Sequence, residues 1–196
     1  MTGVSTRRSL ALLGCAAVLL TGCTSTEGGT PSPASGDRAR PSEPQRRPAE
    51  LSLEGVDPCT LFTGAQLDEL KVNSVPRTTD EGRDGPTCSL DADRTPPYHS
   101  FYVEAVPADL REWIDGDRHK DVMTSDSIDV LGFPALVTHA RDGAASDCET
   151  LVGVAEGHTL RTQMYPLDPS AFTQRQMCDL ATRVATLAVQ NLQATR

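Results

Sequence analysis

The tetrapeptide Leu20-Thr21-Gly22-Cys23 decides which part of this chain can fold, because it has the layout of a bacterial lipobox. Arg7 and Arg8 stand upstream of it, and an apolar run fills residues 10–20. A small residue before a cysteine is typical of the site where a lipoprotein signal peptide is removed and the cysteine acylated. The run is shorter than the roughly 20 apolar residues of a transmembrane helix. The sequence therefore predicts a signal peptide over residues 1–22 and lipidation, palmitate included, at Cys23.

Alternatives remain open at this end of the chain. Leu12-Leu13-Gly14-Cys15 also fits a lipobox loosely, but almost no apolar run separates it from Arg8. Cleavage at another bond would release a secreted protein, and a partial twin-arginine motif at residues 6–10 leaves the export route open. The prediction from Cys23 is a cell-membrane protein, held by acyl chains on the extracytoplasmic face.

A segment poor in apolar residues follows Cys23. Residues 24–56 contain five prolines, and apolar residues are almost absent before Leu51. Such a composition cannot bury enough surface to offset its ordering entropy. The sequence predicts that residues 23–56 form a lipidated cysteine and a disordered tether rich in proline, serine and threonine. Residues 57–196 have the usual length of a single domain.

Charge limits the partners of this domain. Residues 57–196 carry 22 acidic and 12 basic side chains, a formal net charge of −10. Nucleic acid requires a basic surface, so this balance argues against it as a partner. It also disfavours docking of the domain on anionic lipid. Colloidal solubility and a cationic partner both agree with the negative charge.

Four cysteines remain in the domain: Cys59, Cys88, Cys148 and Cys178. An even number in an exported domain predicts two disulfides, for which three connectivities are possible. We favour Cys59–Cys88 and Cys148–Cys178, each joining a helix to a nearby strand. The spacings match no zinc-ligand pair, and no metal site or cofactor is predicted.

Helix and strand patterns together predict an α+β fold. Asp57-Pro58 predicts a helical turn, followed by a capping box at Thr63–Gln66 and a helix to about Lys71. Asp168-Pro169 predicts the start of a long amphipathic last helix. Strands are predicted at residues 88–90, 100–106, 148–155 and 159–165, with a short helix at 108–114 and turns over 73–87. Residues 128–139 predict two further strands separated by a Gly-x-Pro corner at 132–134. The expected architecture is an antiparallel sheet flanked by N-terminal and C-terminal helices and stapled by two disulfides.

The start of the domain reads Asp57-Pro58-Cys59-x-Leu61-Phe62-Thr63-x-Ala65-Gln66-Leu67. This pattern resembles actinobacterial lipoproteins grouped as domain of unknown function 3558, and Cys178-Asp179-Leu180-Ala181 matches their later helix cysteine. Phe62 replaces the usual leucine of that family, Gly64 a frequent proline and Leu90 a frequent aromatic residue. The resemblance implies an actinobacterial cell-envelope protein. The family carries no established activity, so it supplies no catalytic residues.

The chemistry-bearing side chains give weak patterns. His99, His119, His139 and His158 are the available bases, and His139 could pair with Asp142 or Asp147. The chain has no Gly-x-Ser-x-Gly motif and no Ser-x-x-Lys motif. Acidic residues at 115, 117 and 121 resemble the start of a calcium loop, but Lys120 stands where glycine is required. Trp113, the lone tryptophan, is expected to pack in the core.

These observations predict a non-catalytic binding or accessory module at the outer face of the cytoplasmic membrane. Its partner is an unidentified protein or small molecule. Two alternatives remain: a carrier of an apolar small molecule in a pocket between sheet and helices, and an envelope hydrolase with a histidine-based site.

Overall fold

The computed structural model describes residues 46–80, 84–143 and 145–195. Their centre is a seven-stranded antiparallel sheet in the order β1-β2-β3-β7-β6-β5-β4. The chain builds two meanders, β1 to β3 and β4 to β7, and joins them where β3 pairs with β7. The strands are β1 (Arg77–Thr79), β2 (Thr87–Ala92), β3 (His99–Val106), β4 (Met123–Val130), β5 (Phe133–Ala140), β6 (Cys148–Ala155) and β7 (His158–Pro166). The predicted α+β sheet is confirmed.

Within the described ranges, three α-helices accompany the sheet: α1 (Gly64–Glu69), α2 (Arg111–Ile114) and α3 (Gln174–Ala194). The capping box predicted at Thr63 is present, with Thr63 and Gln66 bonding each other's backbone N–H groups. The predicted start of the last helix is wrong by several residues. Asp168 caps a separate 3-10 helix, Pro169–Ala171, and α3 begins after a second capping box at Thr173.

Other boundaries also differ from the prediction. The short helix predicted over residues 108–114 is only Arg111–Ile114, and β4 begins at Met123 rather than near residue 128. The polar edge strand β1 falls in a segment predicted as turns. The corner between β4 and β5 is a tight turn at Leu131-Gly132, where both residues have positive φ.

Helix α3 covers one face of the sheet and forms the main core with it. A row of buried side chains, Leu90, Phe101, Met164 and Cys148, crosses four neighbouring strands on that face. Met177, Ala181, Val184 and Ala188 of α3 are fully buried. Both disulfides lie on this side: Cys59 pairs with Cys88 and Cys148 with Cys178, each with Cα atoms 5.0 Å apart, in the predicted connectivity.

Residues 46–56, here called the strap, are packed onto the domain although the sequence assigns them to the tether. Pairing of β5 with β6 stops at Ala135 and Val152, and the next residue of β5, Pro134, has no N–H to donate. The freed carbonyls of β6 bind the strap instead: Gly153 O accepts from Arg47 Nε (3.0 Å) and Val154 O from Leu51 N (2.9 Å). Leu51 and Leu53 are buried in the main core, so the folded part begins before residue 57. Cys15, Cys23 and the rest of the predicted signal peptide and tether, up to residue 45, lie outside the described residues.

Candidate functional site

The face of the sheet opposite α3 carries polar and charged side chains. Glu104 on β3 lies directly across from Arg161 on β7, and Glu149 on β6 lies diagonally beyond it. Arg161 Nη1 donates to Glu104 Oε2 at 3.2 Å, and Nη2 donates to Glu149 Oε1. The exposed fraction of the side chain is 1% for Glu104, 18% for Arg161 and 11% for Glu149. Three charges are therefore held nearly out of water by mutual pairing.

Arg161 stays protonated in this setting. Burial alone would lower the pKa of its guanidinium, but the carboxylates of Glu149, Glu104 and Asp84 raise that pKa above its ordinary value. Its Nε is buried and has no hydrogen-bond acceptor among the described residues. The guanidinium thus pairs with two carboxylates and leaves its Nε donor unused.

Glu104 also fixes the loop that precedes β2. Its Oε1 accepts from the backbone N–H groups of Asp84 and Gly85. Gly85 lies so close to β3 that a Cβ there would stand 2.0 Å from Ala105 O, which only glycine avoids. This contact brings the Asp84 carboxylate to the edge of the charged cluster.

The segment that follows α2 forms a wall above the sheet. Arg118 donates to Asp84 Oδ2 (2.6 Å) and to Glu112 Oε2 (3.0 Å), and its guanidinium lies 5.0 Å from the centre of the Trp113 ring. Burial would lower the pKa of Arg118, but Asp84 and Glu112 raise it. Trp113 packs at the margin of a small second core formed by Leu110, Leu136 and Leu151, not in the main core.

A cleft of about 280 Å³ opens between this wall and the sheet. Glu149, Arg161 and Thr138 lie on the sheet strands below it, and Met123 and Ser125 line it from β4. Asp84, Trp113, Asp117, Arg118 and Lys120 complete its lining. A second cleft, of about 320 Å³, lies between the strap and the end of α3, near Asp57 and Asn191.

The four histidines are not brought together. His139 Nδ1 contacts Ala140 O (2.9 Å), while Asp147, one of its two predicted partners, accepts from Gln163. His119 contacts Trp113 O and lies 3.4 Å from Asp121. His99 is buried between Phe101 and Phe172, and its Nδ1 contacts Pro97 O (2.8 Å). His158 begins β7 at the predicted hairpin.

Within the described residues no group of three or more histidine, cysteine or acidic side chains is arranged to hold a metal ion. In the calcium-like segment, Asp115 pairs with Arg111 and Asp121 is almost fully exposed. No described helix combines the length and hydropathy needed to cross a bilayer.

Sequence reasoning missed Glu104, Glu149 and Arg161 as a group. A usable pattern was present, because each is a charged residue inside a predicted strand, on the face that alternation assigns away from the core. Their convergence depends on the β3–β7 pairing that joins the two meanders, and strand order is not encoded in local periodicity.

Comparison with known proteins identifies the family of this chain. The model of a protein family of unknown function, DUF3558, matches residues 18–191. The chain belongs to this family. No curated protein matches this DUF3558 chain. Among solved structures it is similar to the lipid transfer and protein localization domain of human StarD13 (DLC2), at 10% identity and a TM-score of 0.29, over 66% of this chain and 95% of that one. A TM-score of that size carries no argument about fold or function.

Proposed function

We propose that this protein is a lipid-anchored, non-catalytic binding module on the extracytoplasmic face of the cell membrane. The observation that carries its binding role is the charged cleft between the α2 wall and the sheet. Holding Glu104, Arg161 and Glu149 together out of water is a weak source of stability, because desolvation offsets the attraction between the charges. Their position below an open cleft favours a role in recognition.

The location is supported by the lipobox and by the cysteines. All four cysteines between residues 46 and 195 are paired in two disulfides, which form and persist in oxidising, extracytoplasmic compartments. The anchor would be Cys23, and the membrane would be a partner through its acyl chains only.

The non-catalytic role is favoured over a hydrolase by the contacts of the histidines. His139 is engaged with its own strand and His119 with Asp121, and Ser125 and Thr138 are the hydroxyl side chains that line the cleft. The apolar carrier is less favoured. The sheet face that such a ligand would occupy is filled by α3, whose Met177, Ala181 and Val184 are fully buried against it.

Two experiments test the two halves of this proposal. In the first, cells expressing the full chain are labelled with radioactive palmitate and fractionated. The Cys23→Ala variant should lose the label and leave the membrane fraction. The control variant Cys15→Ala should keep both the label and the membrane location of the parent. Unchanged labelling of Cys23→Ala would overturn the anchor. Cross-linking at the cell surface, compared between the parent and Glu149→Gln, tests binding: a partner recovered equally from both would place recognition outside the cleft.

A further inference from the structure

We propose that the cleft binds a small ligand carrying an ammonium group, with the amine against Glu149 and Asp117 and an adjacent oxygen toward Arg161. This inference rests on the proposed function, because it names the ligand class of the same binding module.

The first support is the charge left over after the internal pairs are made. Arg118 is already held by Asp84 and Glu112, and Arg161 by Glu104 and Glu149. With Lys120 and Asp117 included, the described residues in and behind the cleft comprise five carboxylates and three cations. The carboxylates are Asp84, Glu104, Glu112, Asp117 and Glu149, and the cations are Arg118, Lys120 and Arg161. An anionic ligand would compete with carboxylates already bound to both arginines, whereas a cation would reduce the surplus.

The second support is the unused bonding capacity inside the cleft. Glu149 Oε1 accepts from Arg161, but Oε2 has no partner among the described residues. Asp117 and Lys120 at the rim likewise have no ion pair within the described ranges. The Glu149 carboxylate lines the cleft with 11% of the side chain exposed, and it is a strong acceptor for N–H donors, since charge-assisted hydrogen bonds are about twice as strong as neutral ones.

The third support is the donor that lacks an acceptor. Arg161 Nε is buried without a hydrogen-bond acceptor in the described structure, whereas buried donors in proteins are nearly always paired. The Arg161 side chain lines the cleft and is 18% exposed, so a hydroxyl or carbonyl oxygen near the ligand's amine would bond its guanidinium.

Binding of an ammonium ligand can be measured without an added label, because Trp113, the lone tryptophan, lines the cleft. Its fluorescence is followed while the full chain is titrated with ethanolamine, ethylene glycol or glycolate at constant ionic strength. These probes share a hydroxymethyl end and differ in their other group: ammonium, hydroxyl or carboxylate. Ethanolamine should give a saturable change, with the other two binding at least about tenfold more weakly, as expected for one charge-assisted contact.

Variants locate the site. Glu149→Gln should weaken ethanolamine binding about tenfold, and the rim variant Asp117→Asn about two- to threefold. Glu69→Gln is the matched control: it removes the same charge from α1, where Glu69 pairs with Arg183 outside the cleft, and should bind as the parent does. Asp117 is exposed, so its variant answers the question even where Glu149→Gln unfolds.

Several outcomes would overturn the ammonium assignment. These are equal responses to the three probes, binding by Asp117→Asn and Glu149→Gln that matches the parent, or no saturation by fluorescence and by ligand-observed NMR. A protein partner captured through the cleft in the cross-linking experiment would still stand in that case, so failure of the ligand class and failure of the binding module remain distinguishable.

Discussion

The two faces of the sheet are built from the same strands but bury different kinds of side chains. The face under α3 is filled by aliphatic and aromatic side chains and carries both disulfides. The opposite face is covered only in part, by the segment around α2, and buries charges in pairs. Apolar burial gives stability in proportion to area, whereas paired charges gain little once desolvation is counted. The comparison assigns the larger share of the stability to the helix-covered face, and the proposed binding role falls on the charged one.

The largest test of that difference compares neighbouring residues of β3. Phe101 is fully buried under α3, so Phe101→Ala should lower the free energy of unfolding by about 4 kcal/mol. Tyr102 points to the other face and is half-buried, so Tyr102→Ala should cost about 1 kcal/mol. Urea unfolding of both variants checks this. Equal losses would mean that the charged face contributes as much to stability as the core.

The disulfides give a second test of the difference in stability between the two faces, because both bridges tie helical elements to the face covered by α3. Cys148→Ser with Cys178→Ser should cost about 3.5 kcal/mol by the chain-entropy estimate for a loop of about 30 residues. The shift in urea midpoint measures it. Thiol reagents should label none of the four domain cysteines before reduction, and labelling of all four would contradict the oxidised pairing.

On the charged face, the loss of stability should depend on how many members of the Glu104–Arg161–Glu149 cluster are replaced. Arg161→Met leaves Glu104 and Glu149 buried without their cation and should cost about 3 kcal/mol. Glu149→Leu added to Arg161→Met should restore at least half of that loss, since one uncompensated charge is also gone. Thermal unfolding compares the two. A double variant as unstable as the single one would show that the ion pair itself stabilises the fold.

The sequence predicted the individual strands and helices far better than it predicted which strands lie side by side. Alternation located β3, the hairpin pattern located β6 and β7, and the Thr63 capping box was correct because caps depend on residues three apart. The start of α3 was misplaced because two overlapping cap patterns, Asp168-Pro169 and Thr173, compete within six residues. The charged cluster could not be predicted, because Glu104 and Arg161 belong to different meanders and meet only through long-range pairing.

The smallest expected effect concerns acid stability on the charged face. Burial raises the pKa of Asp91, but hydrogen bonds from Ser100 and Ser89, together with Arg77, bring it below the ordinary value of 3.8. The folded state therefore gains stability that is fully present above that value and is lost as the pH falls through the lowered pKa. Asp91→Asn should cost roughly 1–2 kcal/mol at pH 7 and lose less stability than the parent below about pH 4. Parallel urea titrations at neutral and acid pH check this, and identical acid sensitivity would contradict it.

The strap has a mechanical consequence. It contacts β6 at Gly153 and Val154, just beyond the end of the β5–β6 pairing, rather than at the sheet edges β1 or β4. Tension applied from the N-terminal side would reach the sheet first through these two bonds and the buried Leu51 and Leu53. These contacts lie outside the pairing of β5 with β6, which ends at Val152, while β6 stays paired with β7. The strap can therefore detach from β6 without breaking any hydrogen bond between strands of the sheet.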